Sequence, residues 1–529
     1  MIEIILINAK ILFFQNFFFL SLVAYGLFFC RYYKDKKGFF KYIFGISFLF
    51  FFSLLASYVI NYQPCSLFLI FIFSIIPLCE IPGILKNEKK ILISFFFLTI
   101  INTPFVFNEI AWYDTYLYHA NQVSIIKEYG VVQGIGLIHE RLGFNSIAIS
   151  FYAMVDFFSN GYGIYISNIF ILNFILFFLV RSLYLFKSFL NFAIFILFLI
   201  HFLVLRNDYR EVTSYSTDFI FIHLVFLFFS IIVNSNIRNQ SFWFGQSIFA
   251  LLLFFLKLSG IAFLFITFSY FIFSDRMSIF NKKVSYFLII SFFVFSLMAY
   301  RSVISTGWLY YPIPFFSLDL PWSLGKEQVE HMNLVIKAWA IYPGEAFLER
   351  YQNKSSIILW FPDWLNKNFE LNSEFVLIFL LFLADSLFRN PLFFLKNKNV
   401  KVLYVFLSLN ILFYLFTVPD FRFFSSVVSL LLLFPMLHFQ RNIRFVSKDI
   451  VVLFIMIALF LVSYANIRKL NGFSIKKVRD IELYSQKNYH GLLFLKPKEG
   501  EQCGFSEIPC APGYTNARYD SSFNMGFVR

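Results

Sequence analysis

The sequence predicts an all-α, polytopic membrane protein, and three observations support this fold class. Hydrophobic residues make up 59% of the 529 residues and charged residues only 14%, whereas soluble domains contain about 25% charged residues. The mean hydropathy is +0.73. The apolar residues are gathered in runs of about 20, which is the length that a helix needs to cross a bilayer.

Fourteen apolar runs are predicted to be spans. They lie near residues 11–30, 42–60, 66–84, 91–107, 162–182, 188–205, 218–235, 242–256, 259–274, 284–304, 373–389, 402–417, 424–439 and 449–466. A break after residue 256 is favoured over one long helix, because Lys257 and Gly260 lie at that junction. The apolar stretch 145–160 is shorter, and we expect it to lie at the membrane interface rather than to span it.

The loops between these runs alternate in charge. One set is short, basic and almost free of acidic residues: 31–41, 85–90, 183–187, 236–241, 275–283, 390–401 and 440–448. The positive-inside rule places this set in the cytoplasm. The long loops 108–161 and 305–372 then lie outside, together with both termini. We therefore predict a transmembrane domain over residues 1–466 and a small extracytoplasmic cap over residues 467–529.

Charge and motifs also exclude some functions. The net charge of +14 is explained by the basic cytoplasmic loops, so it indicates membrane topology and no nucleic-acid partner. The sequence contains no P-loop, no dinucleotide-binding glycine motif and no kinase signature, so it predicts no nucleotide site. It also contains no cysteine and histidine spacing that is typical of a zinc site.

One polar stretch, from Asn108 to Ser146, stands out because ionisable residues are costly in lipid. Asp114 and His119 are five residues apart, slightly more than one helical turn, so the carboxylate and the imidazole could face one site. Arg141 is a candidate for substrate binding in the same stretch. A solvated loop without chemistry is the alternative reading.

Four further residues at the predicted outer ends of spans are candidates for substrate binding. Asp218 either helps to cap its helix or provides a second carboxylate facing Asp114. Lys257 either extends to the interface or contacts a phosphate. Arg422 is either an interface anchor or a bidentate phosphate ligand, and Arg301 is a weaker candidate of the same kind.

Two cysteines in the polar tail are predicted to form a disulfide. Cys503 and Cys510 are close in sequence and are flanked by glycine and proline, which suits a small closed loop if the tail lies outside the cytosol.

Several short motifs together resemble a known family. They are YDTYLYH at 113–119, EYGVV at 128–132, HERLGFNS at 139–146, STD at 216–218, KLS at 257–259, YYP at 310–312, PDFRF at 419–423 and QCGFSEIPCAP at 502–512. In this combination the chain resembles large bacterial polytopic membrane proteins encoded in surface-polysaccharide gene clusters, with a glycosyltransferase-C-like architecture. The resemblance covers residue 108 to the C-terminus.

The resemblance implies an activity and a set of roles. Glycosyltransferase-C enzymes carry a key acidic residue in the first large outward loop, a place that Asp114 occupies, with Glu109 as the rival. The expected location is the bacterial inner membrane. Nucleotide sugars are cytosolic, so an outward-facing transferase needs a polyprenyl-phosphate-linked donor and a glycan acceptor. His119 is expected to orient Asp114 or the acceptor, or to join a divalent metal site.

The same resemblance leaves alternatives open. A polymerase of lipid-linked repeat units would use the same face of the membrane. A flippase or transporter would place ionisable groups deep within its spans, and a non-catalytic assembly protein would tolerate the loss of Asp114.

Overall fold

The structure is a computed structural model that describes most of the chain. The described residues are 2–30, 40–60, 63–110, 112–186, 189–205, 211–234, 240–273, 282–344, 346–388, 398–417, 419–434, 436, 481–488, 490–506, 509–513, 515, 517–520 and 526–528. The predicted span at 449–466 lies outside these residues, as do positions 206–210 of the outer segment before Asp218.

The described chain is mainly helical. The first nine helices are α1 (Ile2–Cys30), α2 (Phe40–Ala56), α3 (Gln63–Asn87), α4 (Lys89–Asn102), α5 (Ala120–Tyr129), α6 (Ile147–Ser159), α7 (Gly163–Phe186), α8 (Phe189–Ile200) and α9 (Thr217–Asn234). The next nine are α10 (Gln240–Leu256), α11 (Ile261–Phe273), α12 (Lys282–Thr306), α13 (Lys326–Ile341), α14 (Phe347–Asn353), α15 (Ile357–Leu371), α16 (Ser373–Phe388), α17 (Lys398–Thr417) and α18 (Phe421–Leu430).

Five helical segments in the described part of the chain are long and apolar enough to cross a membrane. They are Leu6–Cys30, Lys89–Phe107, Gly163–Leu185, Thr217–Asn234 and Lys282–Thr306. Eight shorter apolar helices accompany them. The predicted helical fold with membrane-type helices is therefore confirmed, and the total of fourteen spans stays a prediction.

The helices pack around one large aromatic core. Phe19 of α1 stacks on Phe95 of α4 with ring centroids 3.7 Å apart, and Phe50 of α2 lies 4.5 Å from Phe151 of α6. Phenylalanine fills this core because its large apolar ring contributes contact area to several neighbours at once.

Helix α6 differs from the expectation for residues 145–160. All its residues from Ile147 to Asp156 are buried, and it packs against α2, α5 and α7. The expected interfacial position was wrong, because these neighbouring helices enclose α6.

A break between α10 and α11 occurs where the sequence indicates it. Lys257 is extended, with φ −153° and ψ 136°, and a short 3-10 helix, Leu258–Gly260, leads into α11. A side chain on Gly260 would overlap the backbone of Leu253 at 2.3 Å, so this close return of the chain requires glycine.

The tail forms a small β-structured cap. Strands β1 (Leu483–Lys487) and β2 (Leu493–Pro497) pair as an antiparallel hairpin, and β3 (Arg518–Asp520) pairs with β4 (Gly526–Val528). Cys503 and Cys510 are joined by a disulfide. Phe494 of β2 packs with Ile125 and Ile138 of the first outward loop, so the cap rests on that loop.

Candidate functional site

The segment that carries Asp114 is a π-helix. Asp114 directly precedes the π-helical turn Thr115–His119. In this conformation hydrogen bonds join residues five apart, and such turns are frequent at functional sites. Asp114 and His119 therefore lie about one turn apart on one side of the segment, as the sequence spacing indicates.

The Asp114 carboxylate has no bonded partner among the described residues. Its side chain is half-buried and makes no capping hydrogen bond, and within the described residues it forms no hydrogen bond or ion pair. Asp218, Asp420 and Asp156 are instead engaged with Lys257, Arg422 and Lys127, respectively. Asp114 is therefore available to a substrate.

His119 is a buried, neutral imidazole beside Asp114. Only 3% of its surface is exposed, and its Nδ1 atom has no hydrogen-bond partner among the residues that the structure describes. Burial lowers the pKa of His119 to about 4, although the charges of Asp114 and Asp218 oppose this shift. At neutral pH the ring is uncharged, so one nitrogen donates and the other accepts.

Lys257 and Asp218 form an ion pair where α9 begins and α10 ends. The ammonium of Lys257 also lies 3.3 Å from the centre of the Phe423 ring. Ser216, not Asp218, caps α9, because its Oγ accepts a hydrogen bond from the Phe219 amide at 3.2 Å. Asp218 is therefore held as the counter-ion of Lys257, and its charge acts on His119.

Arg422 is held by Asp420 at the start of α18. Asp420 accepts a hydrogen bond from the Arg422 backbone amide at 2.9 Å and another from its Nε at 2.8 Å. The charge of Arg422 interacts with Asp218 and Asp114 as well. The Asp420 carboxylate therefore caps α18 and also holds the Arg422 guanidinium in position.

Arg141 provides a third cation from the first outward loop. Its guanidinium lies 5.9 Å from the ring centre of Tyr118, and its charge acts on both Tyr118 and His119. In the part of the chain that the structure describes, Arg141 makes no ion pair. Unlike Lys257 and Arg422, it makes no ion pair with a carboxylate among the described residues, although the charge of Glu140 acts on it.

The structure therefore brings six of the predicted site residues into one electrostatic cluster: Asp114, His119, Arg141, Asp218, Lys257 and Arg422. Two predicted residues lie apart from it. Glu109 has an exposed side chain. Arg301 is 3% exposed, binds Ser150 and interacts with Tyr58, so its contacts are those of a packed core residue.

The disulfide loop of the cap is bonded to the π-helical segment. The Gly504 amide donates to the Tyr116 carbonyl at 2.7 Å, and Asn121 Nδ2 donates to the Ser506 carbonyl at 2.6 Å. The ring of Phe505 lies 5.8 Å from Tyr116 and 6.1 Å from Tyr215. The cap thus bonds to the Tyr116 backbone before His119 and to the Asn121 side chain after it.

Three aromatic residues adjoin the cluster, and sequence reasoning identified only Tyr118 among them. Tyr118 lies 4.2 Å from the His119 ring, Phe423 contacts Lys257, and Phe505 reaches the segment from the cap. Phe423 follows Arg422 directly and Phe505 lies two positions after Cys503, and this proximity is the signal that could have identified them.

A metal site is not evident in the described chain. Among those residues no group of three or more histidine, cysteine, aspartate or glutamate side chains could hold a metal ion. Three residues, Asp114, His119 and Asp218, were candidate metal ligands. Asp218 is ion-paired with Lys257, so Asp114 and His119 remain as candidates.

Comparison with known proteins identifies a family but not an activity. No curated protein and no solved structure shows significant similarity to the chain. A family model described as "Domain of unknown function (DUF8201)" matches residues 9–429. The match begins within α1, ends within α18 and includes every residue of the electrostatic cluster. The chain therefore belongs to the DUF8201 family.

Proposed function

We propose that the protein is a membrane glycosyltransferase with a glycosyltransferase-C-like bundle of about fourteen spans. It acts on the extracytoplasmic face of a bacterial inner membrane, in surface polysaccharide or glycoconjugate assembly. The donor is a sugar linked to polyprenyl phosphate, and the acceptor is a hydroxyl of a glycan.

One observation supports this function above the others. Among the described residues Asp114 is a carboxylate without a bonded partner; the charge of Arg422 acts on it, and the charges of Lys257 and Arg141 act on the neighbouring His119. A general base needs a free acceptor oxygen that can reach a substrate proton. A leaving phosphate needs preorganised positive charge. The cluster combines both requirements at one end of the helices.

The reaction assigns each group a task. Asp114 accepts the proton of the acceptor hydroxyl while that oxygen forms its bond to the anomeric carbon. The bond from this carbon to the lipid-phosphate oxygen breaks, and its electron pair leaves with the phosphate. Direct displacement inverts the anomeric centre. Neutral His119 orients the acceptor or Asp114 through a hydrogen bond.

The cations stabilise the charge that develops on the phosphate. Arg141 is assigned the closest role, because it has no ion pair in the described chain and its planar donors suit bidentate binding. Lys257 and Arg422 are held by Asp218 and Asp420, so their positions are fixed before the substrate binds. Tyr118 and Phe423 provide aromatic surface that suits a sugar ring.

A polymerase of lipid-linked repeat units is the second candidate, because it needs the same outward face, base and cations. The products distinguish the two. A transferase adds one sugar to its acceptor, whereas a polymerase yields a ladder of products that differ by whole repeat units.

The test compares wild type with Asp114→Asn at equal membrane abundance, with surface polysaccharide as the readout. Asparagine keeps the shape and removes the proton acceptor, so we expect activity to fall by about 10²–10⁴-fold. Glu109→Gln is the matched control on an exposed carboxylate of the same loop, and it should have a smaller effect. Arg422→Ala should weaken donor binding as well as turnover.

The outcomes separate the assignments. If the Glu109→Gln variant is inactive and the Asp114→Asn variant is active, Glu109 is the base. Full activity in both would show that this outer loop is not catalytic.

A further inference from the structure

A cavity lies outside the Asp114 cluster, between α14 and α15 in the large outward loop. Its volume is about 550 Å³. Its lining includes Tyr342, Arg350, Asn353, Lys354, Asp363 and Lys367. None of these residues belongs to the proposed transferase site.

The cavity carries excess positive charge. Its lining contains three cationic side chains and one carboxylate. Asp363 is paired with Lys354 at 2.7 Å and accepts a hydrogen bond from the Tyr342 hydroxyl at 3.5 Å. Arg350 is exposed and makes no ion pair within the described residues. A guanidinium and an ammonium beside a side-chain amide are suited to a phosphate group.

Helix α15, which forms one wall of the cavity, has three different sides. Trp360 and Trp364 are buried, and Asp363 faces the cavity together with its neighbours one turn on. The remaining side is apolar and exposed: Ile358 is 82% exposed and Leu359 is 52% exposed. An exposed apolar side next to cationic residues is typical of a helix that lies in a membrane interface.

A direct bond ties α15 to the segment that carries Arg422. Trp364 Nε1 donates to the Pro419 carbonyl at 2.5 Å. The Trp364 ring also stacks on Phe421, with centroids 5.4 Å apart and planes 8° from parallel. The cavity and the outer end of α18 therefore belong to the same side of the molecule.

We propose that this cavity binds the phosphate of an anionic membrane lipid whose acyl chains lie along the apolar side of α15. The positive lining accounts for the phosphate. The exposed Ile358 and Leu359 side chains favour a lipid headgroup over free phosphate, because free phosphate would leave that apolar surface in water. The proposal does not depend on the transferase activity.

The test measures lipid binding by the full-length purified protein in neutral detergent. The probes are fluorescent phosphatidylglycerol and phosphatidylcholine that carry the same fluorophore. Wild type should bind phosphatidylglycerol more tightly. The double variant Arg350→Gln/Lys354→Gln should weaken that binding by about tenfold or more, since a charge-assisted hydrogen bond contributes that much. Its binding of phosphatidylcholine should weaken less, because the choline ammonium group offsets the charge of that phosphate.

A matched control removes the same charge from the same loop. Lys326→Gln/Lys337→Gln alters two exposed lysines of α13 and should leave the affinity for phosphatidylglycerol within about twofold of wild type. Ile358→Asn should weaken the binding of both lipids, because it acts on the acyl chains.

Three results would overturn the proposal: unchanged phosphatidylglycerol binding in the Arg350→Gln/Lys354→Gln variant, equal weakening in the α13 control, or no effect of Ile358→Asn on either lipid. Displacement of the lipid by inorganic phosphate with equal affinity would identify free phosphate as the ligand and would also overturn it. The substituted side chains are all exposed, so we expect the variants to fold. Elution volumes equal to that of wild type in size-exclusion chromatography will check this.

Discussion

Replacing Lys257 with methionine separates the structural role of the Lys257–Asp218 ion pair from its role in the proposed reaction. Methionine keeps most of the length and apolar surface of lysine and removes its charge. Asp218 would then lose its ion pair with Lys257 among apolar helices, while the charge of Arg422 would still act on it.

The burial of the pair determines the expected magnitude. The Lys257 side chain is 20% exposed and the Asp218 side chain 11% exposed. Breaking a buried pair by removing one partner costs about 3–5 kcal/mol, because an uncompensated charge is left in a low-dielectric environment. The lost contact of the ammonium with the Phe423 ring contributes up to about 2 kcal/mol of that loss. We therefore expect Lys257→Met to lower the free energy of unfolding by about 3–5 kcal/mol.

The assay is unfolding by sodium dodecyl sulfate in mixed micelles, carried out on wild type, both single variants and the double variant Lys257→Met/Asp218→Asn. The double variant removes both charges, so most of the lost stability should return. A matched control is Lys354→Met at the exposed pair with Asp363, whose side chains are 50% and 39% exposed. It should change the free energy of unfolding by less than about 1 kcal/mol.

Two results would contradict this reasoning. A change below about 1 kcal/mol for Lys257→Met would show that the pair behaves like an exposed one. Full glycan assembly by the stable double variant would show that Lys257 and Asp218 serve only the fold. We expect instead a folded protein with impaired activity, because the cation beside the proposed phosphate is gone.

Three further predictions concern the cap, His119 and the topology. The double variant Cys503→Ser/Cys510→Ser should lower the free energy of unfolding by about 2–3 kcal/mol. It should also increase amide hydrogen exchange over residues 113–121, as measured by mass spectrometry. Unchanged exchange would mean that the cap does not hold this segment. Burial lowers the pKa of His119 from 6.5 to about 4. The free energy of unfolding should therefore fall by about 3 kcal/mol as the pH is lowered from 6.5 towards 4. Unfolding measured at a series of pH values should show this loss in wild type but not in His119→Gln. A reporter that is active only in the cytosol should stay silent when it is fused after Arg529, and a bright signal would refute the predicted topology.

Local features of the sequence predicted much of the fold. Helices follow from long apolar runs, and the break at Lys257 follows from a charge beside Gly260. Each of these signals depends on neighbours within a few positions, so one sequence is enough to reveal it. The burial of α6 was missed, because an apolar run of 13 residues has the same local pattern at an interface and in a core.

The candidate site was predicted in part for the same reason. Each charged residue could be identified from the cost of placing it near lipid, but its partner could not. Lys257 and Asp218 are 39 positions apart, and Asn121 and Cys510 are 389 positions apart. Such contacts are set by how the helices pack, and no periodicity within one helix encodes them.

Partnership is the property that distinguishes the charges of this cluster from each other. Lys257 and Arg422 have the composition of phosphate ligands, yet each is already held by a carboxylate. Asp114 and Arg141 have no such counter-ion within the described residues. A paired charge is fixed in position, whereas an unpaired one is available to a ligand that supplies the missing partner. Since an acceptor hydroxyl can supply a proton to Asp114 and a phosphate can supply negative charge to Arg141, these two residues are where a substrate would gain the most.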